Sequence, residues 1–383
     1  MDRPSAEADG RPLRIVYLTL EATRRGQAAH THVHEIVAGL GRLGAEVELI
    51  EPGHSVRPSP AHPLARLAAY GPLQARAARR LAGADLLYLR AHPFALPIAE
   101  IARRRAVPVV HEINGRPADL SVTYPWARPL ARALAASQRR QYRAAAGLVA
   151  VTPGLADWAR AESGGRVAVA LVPNGASTSV FRPDASGGPR VPGPYVAFFG
   201  GLVRWHGVAT LIAAVEHPDW PADLRLAVAG HGPESRVVAE AAARQPRLLS
   251  LGYLPQDEVA GLAARALASV VPIENLGERA SGGVAPLKLF ESLAAGAPVI
   301  ATDLPFQADL VRKGRAGLVV PPGDPGALAR AARMLLVEPE RARAMGARGR
   351  ALVVREHSWD RRAADTLRFL REVISSAEGR GRG

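Results

Sequence analysis

Cysteine is absent from this chain of 383 residues. Its absence excludes disulfide bonds, thiolate zinc sites, iron–sulfur clusters and cysteine nucleophiles. Aromatic residues make up only 5% of the sequence, which argues against a platform on which single-stranded nucleic acid stacks. No apolar run reaches the roughly 20 residues that a membrane-spanning helix needs, and the polar stretch from Met1 to Pro12 lacks the apolar core of a signal peptide. We therefore expect a soluble, cytoplasmic protein.

Lysine is almost absent as well, although the chain is strongly basic. Lysine and arginine number 49 against 35 acidic residues, a net charge of +14, and Lys288 and Lys313 are the two lysines. Most of the arginines are expected to be solvated on helix faces. The excess of positive charge still favours polyanionic partners such as nucleic acid, anionic lipid or phosphorylated small molecules. A lysine retained in such a sequence is a candidate for a specific function.

Short apolar runs alternate with helical periodicity along the chain, and 48% of the residues are hydrophobic. This alternation predicts an α/β protein with parallel sheets covered by helices on both faces. Six strands are predicted in the first half, at residues 15–20, 47–50, 86–89, 107–110, 148–151 and 167–172. Six more are predicted in the second half, at residues 195–199, 224–229, 248–251, 268–272, 298–301 and 317–320.

A segment rich in proline and glycine, residues 184–194, interrupts this rhythm and is typical of a linker. It divides the chain into two Rossmann-like domains, residues 1–190 and 191–383, and the last helix is expected to pack back toward the N-terminal domain. Residues 379–383 are expected to be disordered. Ligands of open parallel sheets bind at the carboxyl ends of the strands, so the predicted site is a cleft between two facing sheets.

The most informative stretch is a glycine-containing loop, residues 281–285, that leads into a helix predicted for residues 286–295. The N–H groups and the positive dipole end of a helix N-terminus form an anion site. Lys288, in the first turn, opposes the dipole unless an anion is bound, and Glu291 lies on the same helix face, where its carboxylate suits ribose hydroxyls. The alternative is an ordinary surface pair between Lys288 and Glu291; the flanking loop and the following strand favour the phosphate site.

The sequence Pro-Leu-Lys-Leu-Phe-Glu-Ser-Leu-Ala-Ala-Gly-Ala-Pro-Val-Ile at 286–300 resembles the signature of family 4 retaining glycosyltransferases. Four further motifs precede it in the chain and occur in the family's order. They are Val-Pro-Asn-Gly at 172–175 with Phe-Arg-Pro at 181–183, Phe-Gly-Gly-Leu-Val-Arg-Trp-His-Gly at 199–207, Ala-Gly-His-Gly-Pro at 229–233, and Leu-Gly-Tyr-Leu-Pro at 251–255. The resemblance covers nearly the whole chain. It implies the GT-B fold, with an acceptor-binding N-terminal domain and a C-terminal domain that binds the nucleotide sugar.

The resemblance also implies which residues hold the donor. In the family a basic pair grips the donor diphosphate, and the matching residues are Arg204 and His206, a histidine where many members have lysine. Gly283 stands where the first of two family glutamates would fall, so the backbone is expected to replace that carboxylate. The complete set is the diphosphate ligands Arg204, His206, Lys288, Gly283, Val284 and Ala285, the ribose ligand Glu291, and the base-region residues Gly230, Gly232 and Leu254.

The N-terminal domain is expected to hold the acceptor and the reacting centre. His111, Glu112 and Asn114 lie at the carboxyl end of the fourth predicted strand and are the catalytic candidates, with local loop structure as the alternative for His111 and Glu112. Asn114 aligns with a histidine or aspartate of many family members.

A second region of this domain resembles the family's glycine-rich opening loop, so Gly26, Gln27 and His30 are the expected acceptor-loop residues. The histidines at 30, 32 and 34 invite a metal interpretation, but positions i, i+2 and i+4 do not share one helix face, and no metal is expected.

The predicted function is transfer of a sugar from a nucleoside diphosphate sugar to a hydroxyl of a glycan, a lipid-linked acceptor or a small natural product. The resemblance implies retention at the anomeric carbon by front-side attack, without metal or cofactor. The alternatives are a sugar-nucleotide epimerase or a phosphorylase of the same architecture, and a basic nucleic-acid-binding protein, for which the sequence carries no recognition motif. The oligomeric state is left open.

A basic stretch of the N-terminal domain raises the question of membrane contact. Arginines at 128, 132, 139, 140 and 143 lie near Trp126 and Leu130. Family members that act on lipid-linked acceptors dock on membranes through such helices, and a solvated helix fits the pattern equally well. Peripheral contact with the inner face of the membrane stays one of two interpretations.

Overall fold

The computed structural model of the protein describes residues 11–21, 23, 25–52, 63–116, 129–275, 277 and 282–381. Contacts between residues divide the chain into two compact units. The first unit takes the described residues of Met1–Arg25, Ala29–Pro173 and Arg362–Gly383, and the second takes Gly26–Ala28 and the described residues of Asn174–Arg361.

The division falls between Pro173 and Asn174, earlier than the boundary at 190/191 that we expected. The reason is that the proline- and glycine-rich segment packs on the second unit. Nη2 of Arg265 donates a hydrogen bond to the carbonyl oxygen of Gly187 at 2.8 Å, and a Cβ at Gly187 would collide with neighbouring backbone. Composition identified the segment as irregular but did not reveal its packing partner.

Six parallel strands form the sheet of the first unit, in the order β2-β1-β3-β4-β5-β6. The strands are β1 (Arg14–Leu18), β2 (Glu46–Ile50), β3 (Leu86–Arg90), β4 (Val109–Ile113), β5 (Gly147–Ala150) and β6 (Val169–Leu171). The described helices between them are α1 (Ala28–Arg42), α2 (Pro63–Arg80), α3 (Leu96–Arg104), α4 (Ala131–Arg143) and α5 (Pro153–Glu162). Each predicted strand of this half is present, with its ends shifted by a few residues.

The second unit repeats this plan with the strand order β12-β11-β10-β7-β8-β9, again parallel throughout. Its strands are β7 (Tyr195–Phe199), β8 (Arg225–Ala229), β9 (Leu248–Gly252), β10 (Ala268–Val271), β11 (Val299–Thr302) and β12 (Gly317–Val320). The described helices are α6 (Val208–Glu216), α7 (Ser235–Arg244), α8 (Gln256–Ala264), α9 (Leu287–Ala294), α10 (Gln307–Gly314), α11 (Pro325–Val337) and α12 (Pro339–Glu356). The prediction of two parallel α/β units is confirmed.

Strand β7 shows how helices on both faces bury a strand. All five of its residues are buried. Successive side chains of a strand point to opposite faces, so Phe198 packs in one hydrophobic cluster with Trp220, whereas Phe199 packs in the other with Phe181. The carboxyl end of β7 is thereby fixed from both faces, at the edge of a parallel sheet where ligands bind.

The last helix, α13 (Trp359–Gly381), carries the chain back to the first unit. Its side chains Phe369 and Val373 lie so close to Gly147 of β5 that a Cβ there would overlap both. The expectation of disorder is wrong for Gly379 to Gly381, which are helical, while residues 382 and 383 lie outside the described part. The tail's glycines suggested a helix end that the structure does not have.

Candidate functional site

The candidate site of the second unit starts at the carboxyl end of β7. Gly200 follows this strand with a φ of 119°, and its N–H donates to the carbonyl oxygen of Ala229 at 3.0 Å. The N–H of Leu202 donates to the carbonyl oxygen of His231, also at 3.0 Å. These bonds join the loop after β7 to the loop after β8.

The glycines Gly230 and Gly232 permit this close approach of two backbones. A Cβ at Gly230 would collide with the carbonyl group of Gly200, and one at Gly232 with the carbonyl group of Leu202. Gly230 also has a φ of 154°. Leu254, after β9, is half-buried against the hydrophobic cluster that contains Phe199. Their expected place beside the nucleotide base stays a prediction.

A short 3-10 helix, Arg204–His206, follows the loop after β7. Arg204 is exposed, and Nδ1 of His206 lies 2.6 Å from the carbonyl oxygen of Gly201. The N–H of Glu274, which follows β10, donates to the carbonyl oxygen of Trp205 at 3.0 Å. The expected basic pair therefore sits on a turn that the backbone of the neighbouring strand end holds in place.

Sequence reasoning missed Glu274, a carboxylate at the end of β10. Its Oε1 accepts a hydrogen bond of 2.6 Å from Oγ1 of Thr210 in α6. The detectable signal was an acidic residue three positions after a strand of four buried residues.

The loop expected to replace a family glutamate leads into α9. Gly283 has a φ of 83°, the N–H of Val284 donates to Pro305 at 3.1 Å, and the carbonyl oxygen of Ala285 accepts a 2.7 Å bond from Nδ2 of Asn174. Pro286 is extended, with ψ 138°, so α9 begins at Leu287, one residue later than expected. Asn174 belongs to the Val-Pro-Asn-Gly motif, whose sequence gave no sign of this contact.

The hydrogen bond from Val284 to Pro305 involves a residue of a strained turn. Phe306 has a φ of 70° and a ψ of −59°, and the N–H of Gln307 donates to Pro305 at 3.0 Å, which is a γ-turn of the rare, strained kind. The buried side-chain amide of Gln307 donates to both oxygen atoms of Thr302 at 2.8 Å. Strain in backbone tends to collect where a ligand is held, because surrounding contacts must maintain it.

Lys288 is the most unusual side chain of this site. It is 6% exposed, and its Nζ has no hydrogen-bond partner among the described residues. Nζ lies 4.1 Å from the ring centre of Phe198, and Cε would be 3.2 Å from a Cβ at Gly200. Burial lowers the pKa of Lys288 to about 7, and the carboxylate of Glu291 opposes this shift. The alternative of an exposed surface pair is wrong, because the lysine is buried.

These elements give the second unit an anion-binding edge. The carboxyl ends of β7, β8 and β10 meet there in parallel, with the N-terminus of α9 beside them. Arg204, Lys288 and the first N–H groups of α9 supply positive charge, and the half-buried Glu291 supplies an acceptor for hydroxyl groups. The arrangement can bind a phosphorylated polyol and stabilise negative charge that develops on its phosphate.

The first unit contains a buried carboxylate, Glu112, at the end of β4. It is 1% exposed and contacts His32 at 2.8 Å and Arg90 at 3.0 Å, through Oε1 in both cases. Its other oxygen accepts from the hydroxyl groups of Tyr17 and Tyr88, at 3.3 and 3.0 Å. Although burial opposes ionisation, His32 and Arg90 hold the pKa of Glu112 well below its usual range.

The three catalytic candidates thus occupy different environments. His111 is 1% exposed, neither ring nitrogen has a hydrogen-bond partner in the described part, and burial lowers its pKa to about 3. Asn114 is half-buried and donates to Glu112 at 2.7 Å. Burial favours a structural role for His111 and Glu112. Their catalytic assignment stays a prediction, and Asn114 is the candidate with a side chain at the surface.

The three histidines after the opening loop do not form one cluster. His30 stacks on His34 at a ring distance of 4.0 Å, His34 lies 3.2 Å from Glu51, and His32 faces Glu112. The residues described here contain no group of three or more histidine, aspartate or glutamate side chains arranged to hold a metal.

The expected acceptor-loop residues fall in both units. Gly26, with a φ of 82°, and Gln27 are exposed and group with the second unit, whereas His30 belongs to the first.

The basic stretch considered for membrane contact is α4. Arg132, Arg139, Arg140 and Arg143 are exposed on it, and Arg139 pairs with Glu162 at 2.8 Å. Arg128 and Trp126 lie outside the described residues. Across the described ranges, no helix is both long and apolar enough to cross a membrane.

Comparison with known proteins provides matches for both units. The family model described as glycosyltransferase family 4 matches residues 29–180, and the one described as glycosyl transferases group 1 matches residues 193–338. Alpha-maltose-1-phosphate synthase of Mycolicibacterium smegmatis is 29% identical over 231 residues, which is 54% of this chain and 57% of that protein. Phosphatidyl-myo-inositol mannosyltransferase of Mycobacterium leprae is 32% identical over 212 residues, 54% of each chain. This chain therefore spans about half the length of these curated relatives.

A solved structure matches over nearly its whole length. Sucrose-phosphate synthase from Thermosynechococcus elongatus superposes with a TM-score of 0.75 and 19% identity, covering 96% of this chain and 100% of that one. At this identity the match establishes the fold.

Proposed function

This chain belongs to glycosyltransferase family 4, and from that premise we propose that it transfers a glycosyl group from a nucleoside diphosphate sugar to an acceptor hydroxyl. Its two Rossmann-like units have the GT-B fold. The observation that carries the proposal is Lys288, a buried lysine without a hydrogen-bond partner in the described part, at the N-terminus of α9. A diphosphate supplies the counter-charge that this lysine lacks.

The donor is proposed to bind along the anion-binding edge. Its diphosphate meets Lys288, Arg204, His206 and the backbone of residues 283–285, and Glu291 accepts hydrogen bonds from the ribose. The mannosyltransferase of M. leprae, a relative by sequence, supports the choice of a sugar donor. The acceptor is assigned to the first unit, where the half-buried Asn114 donates a hydrogen bond to the buried Glu112.

The proposed chemistry is electrostatic. As the bond between the anomeric carbon and the diphosphate oxygen breaks, negative charge develops on the diphosphate. Lys288, Arg204 and the N–H groups of α9 stabilise that charge. The acceptor hydroxyl attacks from the face that the diphosphate leaves and gives its proton to the leaving diphosphate, so the anomeric configuration is retained.

A screen of nucleotide sugars tests this function directly. A donor present at 100 times its Kd stabilises the folded protein by about 2.7 kcal/mol, so the true donor is expected to raise the melting temperature. Transfer is then followed by proton NMR of the anomeric signal, with and without an acceptor. Inversion at the anomeric carbon would refute the retaining mechanism, and conversion of the sugar into its epimer without an acceptor would indicate an epimerase.

Removal of metal ions tests the source of positive charge. Because Lys288, Arg204 and the helix N-terminus are proposed to neutralise the diphosphate, we expect transfer to continue after treatment with EDTA. The measurement is the initial rate of transfer with EDTA and after addition of magnesium or manganese. Loss of activity that either metal restores would overturn metal independence.

A further inference from the structure

The ammonium group of Lys288 lies over the face of an aromatic ring. Nζ lies 4.1 Å from the ring centre of Phe198, and Phe198 is completely buried in β7. The face of an aromatic ring is negative and attracts a cation, most strongly where both are removed from water. Lys288 is 6% exposed, so this interaction operates with little solvent screening.

The remaining surroundings of Lys288 offer little to stabilise its charge. Nζ makes no hydrogen bond in the described part of the chain, and Gly200 lies close to the lysine, since a Cβ there would be 3.2 Å from Cε. On its own helix, Glu291 contributes a favourable field. Burial lowers the pKa of Lys288, and the carboxylate of Glu291 raises it.

We propose that Phe198 is a positioning residue for donor binding, because its ring stabilises the ammonium form of Lys288 and keeps Nζ directed at the diphosphate site before the donor arrives. This inference rests on the proposed function of Lys288 as a ligand of the donor diphosphate. Neither the family match nor the motifs assign a role to Phe198, which lies two residues before Gly200.

The consequence is that donor binding takes up a proton near neutral pH. Burial lowers the pKa of Lys288 to about 7, so the neutral form of the lysine is populated near neutral pH. A bound diphosphate favours the charged form and raises this pKa, and the missing proton comes from the solvent. Proton uptake is expected to increase as the pH rises toward 8 and to fall as the pH is lowered.

Calorimetric titration with UDP and GDP measures this uptake. Each titration is run in two buffers of different ionisation enthalpy, and the dependence of the heat on the buffer gives the number of protons. The titration of the nucleotide itself is the same for every variant and cancels in comparisons between them. Proton uptake that is the same in Phe198→Leu as in the wild type would overturn the proposal.

Substitution of the ring tests the role of Phe198 itself. Phe198→Leu removes the ring face and keeps an apolar side chain, which is expected to lower the pKa of Lys288 by about one unit. Diphosphate affinity then falls about tenfold at pH 8 and much less at pH 6. Phe198→Tyr keeps the ring and is expected to retain the wild-type pH profile.

Phe199→Leu is the matched control, because it is the same change on the same strand but on the opposite face of the sheet. Phe199 packs near Phe181, at a ring distance of 6.5 Å, and not on Lys288. Thermal unfolding of both leucine variants measures the common loss of packing. Equal pH profiles of the two leucine variants would refute a specific role of Phe198.

Lys288→Met separates this inference from the proposed function. If that variant binds the diphosphate as tightly as the wild type, the proposed function of Lys288 fails. If it binds weakly while Phe198→Leu keeps the wild-type pH profile, the role of Phe198 fails and the diphosphate site stands. If Phe198→Leu does not fold, Phe198→Tyr tests the role of the ring, and a pH profile that departs from that of the wild type would contradict it.

Discussion

At the scale of single residues, two buried charges behave in opposite ways. Glu112 is surrounded by His32, Arg90 and two tyrosine hydroxyl groups, so its charge is satisfied within the first unit. Lys288 has an aromatic ring and the field of one carboxylate. A satisfied buried charge is typical of structure, whereas an unsatisfied one is typical of a ligand site.

Replacing Glu112 with glutamine tests the structural role. Removing one partner of a buried ion pair costs about 3–5 kcal/mol, so Glu112→Gln is expected to lower the free energy of unfolding by that amount at pH 7. The pKa of Glu112 is lowered in the folded protein, so its stabilisation is present above about pH 4.3 and is lost as the pH falls toward that lower pKa. The difference between wild type and variant is therefore expected to shrink in acid.

Urea unfolding at several pH values measures this difference. Glu100→Gln is the control, because Glu100 pairs with Arg103 on the surface of α3 and its loss is expected to change stability little. If Glu112→Gln is as stable as the wild type at pH 7, the buried network does not support the fold.

Replacing Lys288 with methionine is expected to stabilise the protein. A buried polar group without a partner costs about 1–3 kcal/mol, and methionine removes that cost while it fills similar space. The pKa of Lys288 is about 7 when folded and about 10.4 when unfolded, so the unfolded chain binds more protons between these values. Wild-type stability is thus expected to rise from about pH 7 to about pH 10, and Lys288→Met is expected to lack this rise.

The measurement is denaturant unfolding without ligand. A less stable methionine variant at pH 7 would mean that Lys288 is satisfied by contacts other than a ligand.

At the scale of elements, the site depends on close contacts between loops. The loops after β7 and β8 touch through Gly230, and the loop before α9 is held by Asn174 and by the γ-turn at Phe306. Sequence motifs identified most of these segments. Which atoms meet was not predictable, because Asn174 and Ala285 lie far apart in the chain and the strained φ of Phe306 belongs to a residue type that rarely adopts it.

Substitutions at two glycines with positive φ distinguish the cost of backbone strain from the cost of a steric collision. Gly252→Ala adds a Cβ in open space and is expected to cost about 1–2 kcal/mol through its φ of 67°. Gly230→Ala adds a Cβ that collides with the carbonyl group of Gly200, so it is expected to cost more and also to weaken diphosphate binding by displacing the loop beside Lys288. Unfolding and nucleotide titration of both variants test this. Equal effects on binding would argue against the contact between these loops as a determinant of the site.

At the scale of the whole molecule, the sequence was sufficient for the sheets and insufficient for the assignment of the candidate residues. Continuous apolar runs such as β7 identify strands that helices cover on both faces, and each predicted strand is present. The division between the units and the helical end at Gly381 were missed, since both depend on packing partners that are distant in sequence. The position of Glu112 at a strand end predicts catalysis, which stays a prediction, whereas the sequence did not reveal its buried partners, which come from three other elements.

The central claim is that Lys288 binds the donor diphosphate, and calorimetric titration of Lys288→Met with UDP, GDP and their nucleosides tests it most directly. A charge-assisted hydrogen bond contributes about 1.5–3 kcal/mol, so the variant is expected to bind the diphosphates about ten- to a hundredfold more weakly than the wild type. Binding of uridine and guanosine, which have no phosphate, is expected to be unchanged. Equal affinity of wild type and variant for both diphosphates would contradict the claim.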